Sequence, residues 1–334
     1  RYKAFIWDKA TPGSGAVGRP SYGLYGVVSA DGYHWKRLPD ILLADFHDTQ
    51  NIAYWDAEKR KYVAYLRGAQ NGRAISYAET TDFKKWPDRA EVILHPGSLD
   101  APFDDYYTNG FTRYPGEPAL KLIFSSIYHH ASDLVDVRFG ITHNGRAINW
   151  VSYEPILEAG RSGDPDAGGV FTGPNMVRLP DGTLALPYRG MGYTHNEWYY
   201  TQYYEPSADT REPPRTVMFA WAIWDDGRLA GIEADNLGEF WTRNEKLEGT
   251  QLLLNARTTR SGSVEVELWE PVSRRISRPI PGFTFADCVP THGDAAWTRM
   301  TWKGKADLSE LKGRTVQLRV RLNSAKIFGY RLAD

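Results

Sequence analysis

The residues best suited to chemistry are aspartates at the heads of short apolar runs. Asp48 lies in "HDTQNIAYWD", and Asp104 and Asp105 immediately precede "YYTNGFTRYPG". Asp164 and Asp166 stand in "SGDPDAGG", ahead of "FTGPNMVRLPDG". Each of the three stretches carries an Asn (Asn51, Asn109, Asn175), then apolar residues, then a turn. Two carboxylates across a pocket can divide the work of an acid and of a base or nucleophile, if their surroundings push their pKa values apart. By strand-head placement Asp48 and Asp105 are the leading pair, with Asp104 as the substitute for Asp105. Asn51, Asn109, Asn175 and Asp166 are candidates to hold the hydroxyls of a ligand, as are His47, Arg189 and His195. An arginine can equally take a carboxylate or a sulfate. The competing reading is local: Asp and Asn side chains often bond their own turn backbone.

These residues need a frame that brings their segments together. No long stretch shows apolar residues at the helical period. Short runs rich in Val, Ile, Tyr, Phe and Trp sit between Gly, Pro, Asn and Asp clusters, which argues for an all-β fold. Repeats narrow the choice. "SADGYHWKRL", "TTDFKKWPD" and "THNGRAINWVS" share a small hydroxyl residue, an Asp or Asn turn and a Trp that starts the next strand. "RYKAFIW", "KYVAYLR", "LKLIFSS" and "TLALPYR" read as the strand before each such hairpin. The Trp series (Trp35, Trp86, Trp150) and the Asn series recur at intervals of about 50 to 65 residues, and four strands per such unit is the pattern of a propeller blade. The sequence therefore predicts an incomplete β-propeller over residues 1–231, with about four blades present of an expected five. The polar heads would converge at its axial mouth. "RYKAFIWD" reads as the middle of a strand, so a segment upstream of Arg1 is expected, from the same protein or from a partner in a homo-oligomer.

After about Ile232 the texture changes. "SVEVELW" and "TVQLRVRL" alternate apolar with charged residues, as half-exposed antiparallel strands do, and "DLSELKG" reads as one helical turn. Residues 232–334 are expected to form a small β-sandwich, of ordinary domain size.

Bulk composition removes several function classes. The chain has 334 residues, 42% hydrophobic and 24% charged, with a formal net charge of −1. No global basic field exists to hold nucleic acid or an anionic membrane, and no apolar run approaches the ~18 residues of a spanning helix. Cys288 is the single cysteine, which excludes an internal disulfide and a cysteine-built metal site. His129 and His130 with Asp133 and Asp136 have metal-ligand types but no diagnostic spacing. The 12 Trp, 20 Tyr and 13 Phe suit both β packing and stacking on sugar rings.

The stretches "HDTQNIAYWDAEKRKYVAYLRG", "YYTNGFTRYPG", "DGRLAGIEA" and the C-terminal "TWKGKADLSELKGRTVQLRVRLNSAKIFGYRL" resemble a bacterial family that looks like five-bladed propeller glycoside hydrolases of the arabinanase and invertase superfamily, with a C-terminal β-sandwich. The resemblance covers nearly the whole chain. It implies a carbohydrate substrate, hydrolysis of an oligo- or polysaccharide at chain ends with inversion, and no cofactor beyond a structural calcium at the propeller axis. Members of the superfamily usually take the acid from a glutamate. Glu197, in "MGYTHNEWYYTQYYE" beside His195 and Trp198, is the best-placed candidate, and Trp198 is the leading stacking residue. In several members the base lies on the strand that this chain lacks. A secreted or periplasmic location is the corresponding expectation. Two rival readings stand beside this one. A non-catalytic sugar-binding propeller would show aromatics and amides around a single acid, and a protein-interaction propeller would have a plugged mouth and an apolar rim.

Overall fold

A computed structural model describes residues 1–9, 22–44, 47–197, 216–273 and 276–334. Regular structure among these residues is mostly β; a 3-10 turn, Ser309–Leu311, lies where a turn was expected in "DLSELKG". Contacts divide the chain into two compact units, Arg1–Ile223 and Trp224–Asp334.

The first unit is a series of antiparallel meanders. Sheet one has three strands, β1 (Tyr2–Lys9), β2 (Tyr22–Ser29) and β3 (Trp35–Leu43), in the order of the sequence. Sheet two has four: β4 (Ile52–Asp56), β5 (Lys61–Ala69), β6 (Arg73–Thr80) and β7 (Glu91–Leu94). This is the strand plan of a propeller blade. The nine-stranded third sheet joins two further meanders. The first holds β8 (Asp104–Tyr106), β9 (Phe111–Tyr114), β10 (Glu117–His129), β11 (Leu134–Thr142) and β12 (Asn149–Trp150). The second holds β13 (Gly169–Thr172), β14 (Val177–Arg178), β15 (Leu184–Met191) and β16 (Val217–Trp224). A single parallel bridge, Val135 to Gly169, links them.

The turn chemistry is the one that the repeats predicted. Asp31 Oδ1 accepts from the amides of Tyr33 and His34 at 2.9 Å, and Asn144 Oδ1 from those of Arg146 and Ala147 at 2.8 Å. Asp82 does the same for Lys84 at 3.0 Å. Trp35 and Trp150 lie in β3 and β12, but Trp86 precedes β7. Pro87 follows it and offers no N–H to a ladder. Trp86 still packs between neighbouring sheets, its ring 5.2 Å from that of Phe5 in β1. Sheets two and three share a core of Tyr65, Ile75, Tyr106, Phe111, Ile123 and Ile127, with Trp150 against it.

One expectation about the strand heads changes. Asn51 does stand directly before β4, but Asn109 and Asn175 interrupt their strands, between β8 and β9 and between β13 and β14. The reason is backbone conformation. Gly110 has φ +53° and Asn175 φ +68°, which no regular strand accommodates.

In the second unit β24 (Thr315–Ala333) lies between β17 (Ile232–Trp241) and the 23-residue β19 (Gln251–Ser273), and β20 (Ile276–Pro279) flanks β19. The short β18 (Glu245–Lys246) and β22 (Asp294–Arg299) extend the same sheet. Alternation decides its faces. Val316, Leu318, Val320 and Leu322 join Leu252, Leu254, Val264 and Val266 in a core closed by Phe283, Met300, Trp302 and Leu311. Arg319 and Arg321 point the other way and bind Glu239. β21 (Cys288–Val289) and β23 (Thr301–Trp302) form a two-stranded ladder over that core.

Candidate functional site

The first unit has an open cleft of about 870 Å³. Several separate segments build it. Asp48, Thr49 and Gln50 come from the loop before β4; Tyr107 and Thr108 from the break between β8 and β9. Phe171 to Pro174 come from the end of β13, and Pro187 to Arg189 from β15, with Phe219 and Trp221 of β16 opposite.

Gln50 fastens these segments together. Its Nε2 donates to the Thr172 carbonyl at 2.7 Å, its Oε1 accepts from the Gly110 amide at 2.8 Å, and its own carbonyl accepts from Asn109 Nδ2 at 3.0 Å. Gly110 is required there: a Cβ at that position would lie 1.9 Å from the Phe124 carbonyl oxygen. Asn109 is buried and fully employed, donating also to the Tyr65 carbonyl and accepting from the Phe111 amide at 3.1 Å. Asn51 donates to the carbonyls of His47 and Thr49, both at 2.9 Å, and accepts from the Arg67 amide. These two amides therefore tie backbone and are not turned to the cleft. Asn175 is exposed and outside the cleft lining.

Asp48 is the carboxylate that faces the cleft. Its Oδ1 accepts from Arg67 Nη1 at 2.6 Å. His47, behind it, is buried and donates from Nδ1 to the Arg67 carbonyl at 2.9 Å, so both residues anchor the loop to β5. On the facing wall His195 pairs Nε2 with the Tyr107 hydroxyl at 2.9 Å, and its Nδ1 lies 3.2 Å from Asn196 Oδ1. Burial, aided by the charge of Arg73 and opposed by the bond to Asn196, holds His195 below the ordinary imidazole range. The ring is thus neutral at neutral pH, with its Nδ1 proton on Asn196 and Nε2 accepting from Tyr107.

Asp105 and Glu197 do not line the cleft. Asp105 is buried beneath Tyr107, where its carboxylate accepts from the Arg73 amide at 2.6 Å, from Arg73 Nη1 at 2.5 Å and from His130 Nε2 at 2.9 Å. Burial pushes its pKa up, but the bonds from His130 and Arg73 outweigh it and leave the group below the ordinary carboxylate range. Asp104 leaves β8 on the other face, as the strand period demands. It binds His129 Nδ1 at 2.9 Å, and Asp136 binds the other ring nitrogen at 2.9 Å. Held chiefly by Asp136 against the cost of burial, His129 is pushed up to about 9 and is a cation at neutral pH. These side chains are consumed as ion pairs. Among the described residues no group of three or more His, Cys, Asp or Glu is placed to hold a metal. Glu197 Oε2 accepts from the Thr194 amide at 3.1 Å, and Trp198 lies outside the described residues.

Asp166 lies one layer behind the cleft, lining with Glu158 a smaller cavity of about 410 Å³. Tyr188 lines both cavities and donates its hydroxyl to Asp166 Oδ2 at 3.3 Å. Burial and the charge of Asp166 raise the pKa of Tyr188, so it keeps its proton. Asp164 accepts from the Arg161 amide at 2.8 Å in an exposed turn. Arg189, next in β15, projects over the ring of Phe171 with its centre 6.0 Å from the centroid.

Gln50, Tyr107, Tyr188 and the Phe219–Trp221 wall were missed at the level of sequence. Only the last had a usable signal. In "VMFAWAIW" the large residues alternate, and in the structure Val217, Phe219, Trp221 and Ile223 are 41%, 84%, 53% and 50% exposed.

No protein-family model matches the chain, and no curated protein sequence does. Solved structures of glycoside hydrolases are similar to it at low identity. One from the GH130 family of mannoside phosphorylases, described as containing glycoside hydrolases that target β-1,2 mannosidic linkages in Candida mannan, is 15% identical, with a TM-score of 0.40 over 57% of this chain and 56% of the other. A glycosyl hydrolase from Bacteroides ovatus is 12% identical, with a TM-score of 0.44 over 67% of this chain and 63% of the other. An α-L-arabinofuranosidase from Podospora anserina, in complex with cellotriose, is 16% identical, with a TM-score of 0.37 over 57% and 56%. The chain thus spans less than two thirds of the length of these proteins, and likeness at this level does not extend to activity.

Proposed function

We propose that the cleft binds a saccharide and that the protein is a glycoside hydrolase. One observation carries this reading: the Asp48 carboxylate lies in one cleft with the aromatic side chains of Tyr188, Phe171, Phe219 and Trp221. Its volume is of the order that small-ligand sites have. Phe171, Phe219 and Trp221 offer flat apolar faces, and Gln50, Tyr107 and His195 offer polar groups between them. In this reading Asp48 supplies the carboxylate that stabilises the developing oxocarbenium charge or activates water. Tyr188, whose hydroxyl proton lies on Asp166, offers its oxygen to a substrate hydroxyl, and the departing oxygen takes its proton from solvent water. Asp105 and His129 have supporting roles. A second reading, saccharide binding without turnover, is favoured by one observation: among the described residues Asp48 is the one carboxylate that lines the cleft.

The test is a panel of oligo- and polysaccharides incubated with the parent and with Asp48→Asn. Reducing ends released by the parent and lost in the variant support hydrolysis. The anomer first formed, read by NMR, and the product sizes then test the inverting, end-acting course expected from the sequence. Saturable binding without release of reducing ends selects the second reading. A cleft that binds none of the panel refutes both.

A further inference from the structure

The charges around the cleft do not balance. Asp48 is matched by Arg67 and His195 is neutral, but among the described residues Arg189 has no acidic partner. Its recorded contacts are the sulfur of Met191, 3.2 Å from Nη2, and the ring of Phe171. A thioether is a weak acceptor, so a guanidinium with five N–H donors stands exposed at the cleft without a strong acceptor from the described residues. Asp166 does not meet it. That residue lies against Tyr188 and Gly190, on the opposite face of β15. Some arginines of the unit have acidic partners (Arg73 with Asp105, Arg138 with Asp100, Arg146 with Glu91), while Arg113 meets the Tyr54 ring; Arg189 is the one that lines the cleft.

We infer that the saccharide taken by this cleft carries an anionic group, a carboxylate or a sulfate ester, and that Arg189 binds it. A planar guanidinium matches two oxygens of either group in parallel. The Phe171 ring flanks the guanidinium, its centroid 6.0 Å from the guanidinium carbon. This inference rests on the saccharide reading above and names the substrate class within it.

The experiment is calorimetric binding with the full chain. The probes are oligouronates beside their carboxyl-reduced forms, and sulfated oligogalactans beside their desulfated forms. The expected result is that one charged series binds about ten- to a hundredfold more tightly than its neutral counterpart, and which series does so identifies the anion. Arg189→Gln is expected to abolish that difference, and Arg189→Lys to restore part of it. Arg161→Gln, at an exposed arginine outside the cleft lining, is expected to leave it intact. Equal binding of charged and neutral partners by the parent overturns the anion inference and leaves the saccharide reading standing. So does a preference that survives in Arg189→Gln. Failure of all four probes, together with the neutral panel, overturns both.

Discussion

Replacing Asp105 with Ala separates a structural from a catalytic role for the residue that the sequence placed beside Asp48. The substitution deletes an acceptor for the Arg73 amide, for Arg73 Nη1 and for His130 Nε2, at 2.6, 2.5 and 2.9 Å. Breaking a fully buried ion pair costs about 3–5 kcal/mol, because the surviving charge is left uncompensated. Here the Asp105 side chain is 6% exposed but that of Arg73 is 24% exposed, so water reaches the guanidinium in part. A loss of about 2–4 kcal/mol follows. In a unit of this length each kcal/mol lowers the melting temperature by about 2–4 °C, so calorimetry should show a fall of roughly 5–15 °C. The pH dependence is fixed in sign. The folded pKa of Asp105 lies below the ordinary value, so its stabilisation is present above the unfolded pKa of about 4 and is lost as pH falls through the folded value. The gap between parent and variant should therefore be full at pH 7 and shrink in acid. A variant that melts with the parent and has lost all turnover would refute this account and return Asp105 to the catalytic machinery.

Three further outcomes are expected. His129 is pushed up to about 9 by Asp136 and Asp104; its contribution should be complete below about pH 6.5 and lost as pH rises through 9. Denaturant titrations at several pH values should show that slope, and His129→Gln should flatten it. Asn109→Ala removes bonds to the Gln50 and Tyr65 carbonyls and to the Phe111 amide in a buried setting, so urea unfolding should report a loss of about 2–3 kcal/mol. Gly110→Ala forces a Cβ to 1.9 Å from the Phe124 carbonyl at φ +53°; it should lower the yield of soluble folded protein, whereas Gly163→Ala, with open space around it at φ +95°, should cost only the ~1–2 kcal/mol of a left-handed side chain.

Much of the architecture was legible because strand proteins write their turns and faces into local sequence. The Asp31, Asp82 and Asn144 turns and the alternation of β24 depend on residues a few positions apart. The second strands that the repeats proposed are β1, β5, β10 and β15. The position of Asn109 and Asn175 was less legible. An Asn before an apolar run marks a backbone irregularity, but it does not say whether a strand starts there or is broken there. The ladder decides: β8 pairs with β10 at Tyr106–Ile127, and β9 pairs with the same strand at Phe111–Ile123. Asn109 and Gly110 are the intervening break, and only β10, whose sequence carries no sign of it, reveals that one strand became two.

The site was legible by residue type and not by partnership. Asp104 and Asp105 are adjacent on a strand, so they must face opposite ways. Across the ladder His129 is paired with Asp104 in register and Tyr128 with Asp105, while His130, just past the end of β10, reaches Asp105 with Nε2. Each acid is thus met by a histidine, which argues for local pairing and against a catalytic dyad. That inference was open in principle, but it needed the register of β8 on β10. Asp48 differs because its loop has no strand opposite it; its partner, Arg67, comes from β5, the neighbour of the strand the loop leads into. Asp104 and Asp105 on a strand are claimed by the neighbouring strand and its end, while Asp48, in a loop at the strand head, has Oδ1 on Arg67 and still lines the cleft. Asp166, in the loop before β13, is held by a single tyrosine, and Arg189, on β15 opposite Phe171, meets an aromatic ring where an acid would have neutralised it.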